Sequence, residues 1–341
     1  MSDTKLPAQD DSLIRQLWLS NFLTPVLSVA LELGLFEALE QDPLPMEELC
    51  QRLKLDHDAT EALTATLGGA GLLEIHDRCF TLTPVSRSYL LRDSPFYWGN
   101  MIRLFQEVRP CHDSLMQTLK QRGPAAMGDG VTLTTGWEES SLSVERATTI
   151  TSAMHSHSYA SALAMAQRLN LPQNCQVLDV GGGSGCFSIA LAQKNPSVCF
   201  TIADLPSVCH VAQRYIEAFK MDERISTHPL DMFHSPWPSN YDIIFTANIF
   251  HDWDASQRQF LLQRARQALK PGGEIMIYEM LIDEDQAGPL IAGLFSVNML
   301  YVTKGKQFRA SELATMLTDA GFSHPRTETV YAGYSLTRAK A

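Results

Sequence analysis

Apolar positions recur at helical spacing between residues 13 and 40, at Leu13, Leu17, Val26, Val29, Ala30 and Leu33. Pro25 lies inside the pattern and is expected to kink or divide it, because proline lacks a backbone donor and clashes with the preceding turn. A short helix is predicted over Met46–Leu53. Another opens on Asp56 or Asp58 as its N-cap and runs through Thr66, and Gly68, Gly69 and Gly71 end it. Residues 72–75 and 80–82, joined by the turn His76-Asp77-Arg78, read as two strands of a hairpin. Helices followed by such a hairpin predict a winged-helix unit.

The second half has a different grammar. Val177-Leu178-Asp179-Val180 runs straight into Gly181-Gly182-Gly183-Ser184-Gly185, and Phe187, Ile189, Ala190 and Leu191 then follow a helical pattern. A second apolar strand, 199–202, leads to Asp204, which stands 19 residues past Gly185. Strand, glycine turn, helix, strand and acid make the first βαβ unit of a doubly wound sheet. Tyr241–Ala247 is an apolar run suited to a buried parallel strand. His251 follows its carboxyl end, and 255–269 reads as a helix closed by Lys270-Pro271-Gly272-Gly273. Residues 274–280 form the next strand and carry Glu279 to the same edge. On the helix after it, Leu294, Phe295, Met299 and Leu300 read first as core packing, with one face bordering an apolar ligand.

A chain of 341 residues is long enough for two domains, and 45% hydrophobic with 19% charged residues is ordinary globular composition. The net charge of −11 argues against nucleic acid or an anionic membrane as the main partner. Residues 1–100 hold 7 Lys/Arg against 15 Asp/Glu, and the helix from His57 carries Asp58 and Glu61 with no basic side chain. Such a helix repels phosphates, so the winged-helix unit is read as a dimerisation and substrate-capping domain rather than a DNA reader. Seven cysteines without a Cys-x-x-Cys, no leader-like segment and no apolar stretch of spanning length predict a reduced, cytoplasmic protein. The most loop-like stretch is 121–143.

Glycines let a backbone approach a ligand, and an acid at the next strand tip can accept from both ribose hydroxyls. The ligand expected is therefore a nucleoside cofactor. A dinucleotide site needs a third glycine or alanine, and Cys186 occupies that position, which disfavours an NAD-dependent dehydrogenase. A histidine and a glutamate that converge from adjacent strand tips can act as a general base and the carboxylate that orients it. His251 and Glu279 are that pair. Asp252 is a possible cap for the following helix, and Trp253 is read as core. His155 and His157 invite a metal reading, but i and i+2 on a helix diverge and no carboxylate cluster accompanies them, so no metal is expected. Arg103 and Arg109 could meet an acceptor carboxylate, though solvation is the simpler expectation.

The run Asp179-Val-Gly-Gly-Gly-Ser-Gly185 resembles motif I of class I S-adenosylmethionine-dependent methyltransferases. Asp204-Leu-Pro206, Asp231-Met232, His251-Asp-Trp253, Leu269-Lys-Pro-Gly-Gly273 and Glu279 follow in order. From about residue 13 to 338 the chain thus resembles the two-domain O-methyltransferases typified by plant caffeic acid and isoflavone enzymes and bacterial antibiotic-tailoring relatives. The resemblance implies an α/β class I methyltransferase sheet preceded by a mostly α winged-helix dimerisation domain. Its divisions are 1–100 for dimerisation, 101–160 for linking helices along the substrate pocket, and 161–341 for cofactor binding and catalysis.

By the same resemblance, Gly181 and Gly183 contact S-adenosylmethionine, Asp204 holds its ribose, and Leu205, Asp231 and Met232 bracket its adenine. His251 is the catalytic base with Glu279 beside it. Met154, in Met154-His-Ser-His-Ser158, lines the acceptor pocket with His157, and Phe295 and Met299 border it. A homodimer is implied, each site borrowing residues from the neighbour's helices. Two departures stand out. Gln307 occupies the position of a second family glutamate, and Ala247, with Asn248 beside it near the cofactor, replaces a lysine of plant members. The activity implied is methyl transfer to a hydroxyl of a small aromatic or conjugated secondary metabolite. Methylation of N, C or S, for example of a small thioether acid, is the alternative within the fold. A metabolite-sensing winged-helix regulator is the non-catalytic alternative.

Overall fold

The computed structural model describes residues 8–106, 108, 110–121, 124, 134–138 and 142–341. Arg109 and most of the 121–143 stretch lie outside the described residues. The chain divides into two compact units, one up to Arg103 and one from Leu104 onward.

The first unit holds helices Ser12–Leu19, Leu23–Glu32, Leu35–Ala38, Met46–Leu53, His57–Gly69 and Pro84–Tyr89. Strands β1 (Leu44–Pro45), β2 (Leu73–His76) and β3 (Cys79–Leu82) form an antiparallel sheet in the order β1-β3-β2. The break near Pro25 is a 3₁₀ turn over Ser20–Phe22; Pro25 itself sits in the first turn of the next helix, where its missing donor costs nothing. Asp56 is the N-cap of the fifth helix, its Oδ1 accepting from the Ala59 amide at 2.8 Å. That helix does not stop before Gly68 but continues through Gly69. Two helical glycines cost roughly 1 kcal/mol each, and burial of Leu63 and Leu67 on the same helix offsets this. Leu35, Phe36, Leu49, Leu67 and Phe80 centre the core of this unit. By contrast Leu13, Ile14, Leu17, Trp18 and Phe22 are exposed within the chain, Trp18 by 73%.

The second unit is built on a seven-stranded sheet. Its strands are β4 (Gln176–Val180), β5 (Cys199–Asp204), β6 (Ile225–Pro229), β7 (Tyr241–Ala247), β8 (Leu269–Met280), β9 (Ser323–Tyr331) and β10 (Tyr334–Lys340), in the order β6-β5-β4-β7-β8-β10-β9. The first five run parallel, and the β9–β10 hairpin is antiparallel, with β10 inserted between β8 and β9. From β4 the chain moves outward to β5 and β6, then returns to β7 on the other side of β4. That reversal leaves a crevice at the carboxyl ends of β4, β5 and β7, where open α/β sheets bind ligands. Leu178, Ile244, Ile275 and Ile277 pack with Leu261 and Leu262 of helix Ala255–Ala268 to form the core on one sheet face.

Three local expectations are corrected. Lys270 to Gly273 does not close the preceding helix but belongs to β8, which begins at Leu269 and pairs with Tyr241. The cap of helix Ala255–Ala268 is Asp254, in a capping box with Gln257, and not Asp252. Leu294 is 60% exposed rather than core. Helix Val144–Arg168, capped by Ser143, runs unbroken through position 160, since no glycine or proline interrupts it. No helix among the described residues is long and apolar enough to cross a membrane.

Candidate active site

At the tip of β4 the chain turns through Gly181, whose φ is +69°. A Cβ there would collide with the Ile249 side chain, so the turn requires glycine. The Gly183 amide donates to Asp204 Oδ2 at 2.9 Å, and the Leu205 amide donates to Oδ1 at 2.8 Å. The acid at the end of β5 is thereby fixed in direction by two backbone groups, with lone pairs left for hydroxyl donors. Burial raises its pKa to about 6 against the opposing pull of those amides.

These groups line an open cleft of about 1100 Å³, its solvent-filled mouth included. Gly181, Gly183, Asp204, Leu205, Asp231, Met232 and Asn248, the seven expected cofactor contacts, all border it, as does Met154. The Asp231 carboxylate is shared with its own turn, accepting from the Phe233 and His234 amides and pairing with His234 Nδ1 at 2.8 Å. Asn248 takes a left-handed φ of 57°, tolerable for asparagine. Its Oδ1 is buried with no hydrogen-bond partner among the described residues. Two further acids border the cleft: Asp179, pushed up to about 7 by burial against a hydrogen bond from Ser188, and Asp252, pushed up to about 7 by burial with Glu279 adding to it. No lysine or arginine lines the cleft among the described residues. An acid-lined wall of this kind favours a cationic ligand and disfavours a pyrophosphate.

His251 lies on a 3₁₀ turn, Phe250–Asp252, just beyond β7, and is 4% exposed. Glu279 Oε2 stands 2.6 Å from its Nδ1, while Glu279 Oε1 accepts the amides of Ile249, Phe250 and His251 at 3.2, 3.0 and 3.4 Å. Asp252 Oδ1 is 3.5 Å from Nε2. Burial alone would lower the imidazole pKa; Glu279 foremost and then Asp252 overcome it and raise it to about 9. Gln307 is fully buried with its amide 3.2 Å from Nδ1. With Nδ1–H aimed at Glu279, only the amide orientation that offers Oε1 to that proton is bonding. A Cβ at Gly305 would run into the His251 carbonyl, so the segment bearing Gln307 packs directly on the backbone of the histidine.

The expected acceptor residues divide. His157 Nε2 meets the Tyr334 hydroxyl at 3.0 Å, and its ring lies 6.0 Å from that of Phe295. Burial, with His251 adding to it, lowers the His157 pKa to about 4. Phe295 meets the His251 ring edge-on at 5.3 Å. Met299 is 5% exposed and packs with Tyr301 and Val302 instead of bordering the cleft. Arg103 bonds Gly99 and Asn100 on its own helix. Asp252 and Tyr334 were not among the expected site residues. The first sits next to a histidine that a remote glutamate orients, and the second arrives on β10, 83 residues after His251.

Residues 116–323 match the family model of the O-methyltransferase domain, and residues 16–92 that of the O-methyltransferase dimerisation domain. The chain is 33% identical over 306 residues to the 3-hydroxy-5-methyl-1-naphthoate 3-O-methyltransferase of Streptomyces sahachiroi, covering 89% of this chain and 87% of that one. It is 28% identical over 320 residues to the tetracenomycin polyketide synthesis 8-O-methyltransferase of Streptomyces glaucescens, 93% of each chain being covered. The crystal structure of human N-acetylserotonin methyltransferase in complex with S-adenosylmethionine shares the fold. It aligns over 98% of this chain and 99% of that one, with a TM-score of 0.84 and 24% identity.

Proposed function

The chain belongs to the O-methyltransferase family, and from that membership we propose that His251 takes the proton from a hydroxyl of a small aromatic secondary metabolite. The protein is a methyltransferase, and S-adenosylmethionine is its methyl donor. The observation that carries this reading is the acid-lined cleft. Asp179, Asp204 and Asp252 border it without a lysine or arginine among the described residues, which suits a ligand bearing a sulfonium and an ammonium. The buried Oδ1 of Asn248, without a partner among the described residues, is an acceptor suited to the ammonium or an adenine amine. Asp204 is proposed to hold the ribose, and Leu205, Asp231 and Met232 the adenine.

When bound, the cofactor supplies an electrophilic methyl on a sulfur that leaves as a neutral thioether. The protein's own contribution is to place the acceptor oxygen and remove its proton. Glu279 orients the His251 ring through Nδ1, so Nε2 is the atom that faces the acceptor and receives the proton. The resulting imidazolium is stabilised between Glu279 and Asp252. Met154 on the cleft wall and Phe295 against the His251 ring favour a flat apolar acceptor. Exposed Leu17 and Trp18 on the first helix, within the dimerisation-domain match, fit a homodimer.

The test uses isotopically labelled S-adenosylmethionine with hydroxylated naphthoates and related phenols, for the protein and its His251→Ala variant. Labelled methyl should appear on oxygen, and the variant should lose at least about a hundredfold in kcat with unchanged affinity for S-adenosylhomocysteine. Near-normal turnover of an oxygen acceptor by the variant would remove His251 from the mechanism.

A further inference from the structure

Helix Val144–Arg168 turns one face to the cofactor cleft: Thr151, Met154 and Ser158 all line it, at i, i+3 and i+7. His155 belongs to the same face, yet its ring does not enter the cleft. It is stacked between two tyrosines, 5.0 Å from Tyr159 at 22° and 4.4 Å from Tyr215 at 23°. Its Nδ1 stands 2.9 Å from Ser184 Oγ, the one side chain in the glycine turn that can hydrogen-bond. Ser184 is 3% exposed and borders the cleft.

We propose that His155 is a positioning residue for the cofactor: it holds the glycine turn through Ser184 and so fixes the shape of the turn before the ligand arrives. The inference rests on the reading of the cleft as the S-adenosylmethionine site. Glycines give this turn its close approach to a ligand, but they also leave it with more conformational freedom to lose than any other sequence would. Pre-organisation therefore has to come from outside the turn. The Gly183 amide on Asp204 and the Gly181 amide on the Ala203 carbonyl are backbone restraints of this kind. His155 adds one through a side chain. Its two tyrosine neighbours lock the ring plane, and Tyr215 lies on helix Pro206–Ala218, which begins two residues after Asp204. The histidine thus ties the turn to two helices at once. Burial lowers its pKa to about 4, so it is neutral in the working range and does not repel a cationic ligand.

Calorimetry with S-adenosylhomocysteine on the full chain tests this without requiring an acceptor. His155→Phe keeps the stack and loses the bond; Ser184→Ala loses the bond from the other side; His155→Asn loses the stack but places an amide near the position of Nδ1. His155→Phe and Ser184→Ala should each weaken binding by about five- to tenfold, the effect of one hydrogen bond of ordinary net strength. The double variant should be no worse than either, and His155→Asn should retain most of the affinity. Wild-type affinity in Ser184→Ala, or losses that multiply in the double variant, would overturn the inference while leaving the cofactor site intact. No binding by the unaltered protein would overturn the reading of the cleft, and this inference with it.

Discussion

Glu279 grips His251 by both ring and backbone: Oε2 stands 2.6 Å from Nδ1, and Oε1 accepts the histidine's own amide at 3.4 Å together with those of Phe250 and Ile249. One carboxylate therefore sets both the position of the turn and the orientation of the ring. The two roles separate by substitution. Glu279→Gln keeps an acceptor for the three amides and removes the charge beside Nδ1. It should fold normally, and the pKa of its histidine should fall from the raised value of about 9 back toward the ordinary one. Glu279→Ala leaves three backbone amides without their acceptor and the buried imidazolium with Asp252 as its one remaining carboxylate, a loss of about 3–5 kcal/mol. Denaturant unfolding should register that loss for Ala and little for Gln; equal midpoints for both would contradict the dual role.

Activity and stability should respond to pH in opposite directions. His251 must be neutral to accept a proton, and its pKa is raised to about 9 in the free protein. The logarithm of kcat/KM should then climb with unit slope and level off near that value. A raised histidine pKa adds stability that is fully present below the unfolded value of about 6.5 and is lost as pH rises through the folded value. Between those points the enzyme should gain rate while its denaturation midpoint falls. Gln307→Glu adds a carboxylate next to Nδ1 and should move the rate limb to still higher pH. A flat rate profile between about pH 6 and pH 9 would exclude His251 as the titrating base.

The proposed ribose contact of Asp204 is tested by cofactor affinity. Two charge-assisted hydrogen bonds from ribose hydroxyls, each worth about 1.5–3 kcal/mol, would be weakened by Asp204→Asn while one oxygen remains for the turn. S-adenosylhomocysteine affinity should drop by about tenfold or more with little change in melting temperature. Unchanged affinity by calorimetry would reject the ribose assignment.

Light scattering at micromolar concentration should give twice the 37.9 kDa chain mass. Trp18→Glu, at a position 73% exposed within the chain, should shift the equilibrium toward monomer. A monomer mass for the unaltered protein would remove the dimer from the functional reading.

The parts of this molecule governed by local chemistry were legible in the sequence. The glycine turn between β4 and the following helix, the acid that ends β5, the span of β7 and the helix Met46–Leu53 all follow from period, turn residues and capping. What was not legible depends on distant partners. Asp252 looks like a helix cap, but the turn over Phe250–Asp252 is held by a carboxylate 28 to 30 residues from the amides it binds, and the cap falls to Asp254. Helix His57–Gly69 runs past two glycines because the buried side of the helix outweighs their propensity. Tyr334 reaches His157 only because β10 inserts beside β8, a pairing no local pattern announces.

The crowding at Gly305 has a bearing on how this enzyme can diversify. Its backbone lies so close to the His251 carbonyl that any side chain would push the two strips of chain apart. Two residues on, Gln307 touches the ring but is anchored by its own amide to the Ser296 hydroxyl at 3.2 Å, a bond indifferent to what side chain stands there. In a saturation library the first position should therefore accept glycine alone, and the second, which is fully buried, should accept exchanges of similar size. Such a pairing lets a lineage, or an engineer, retune the proton affinity of His251 by exchanging one neutral or acidic side chain for another, while the backbone contact beneath it stays fixed.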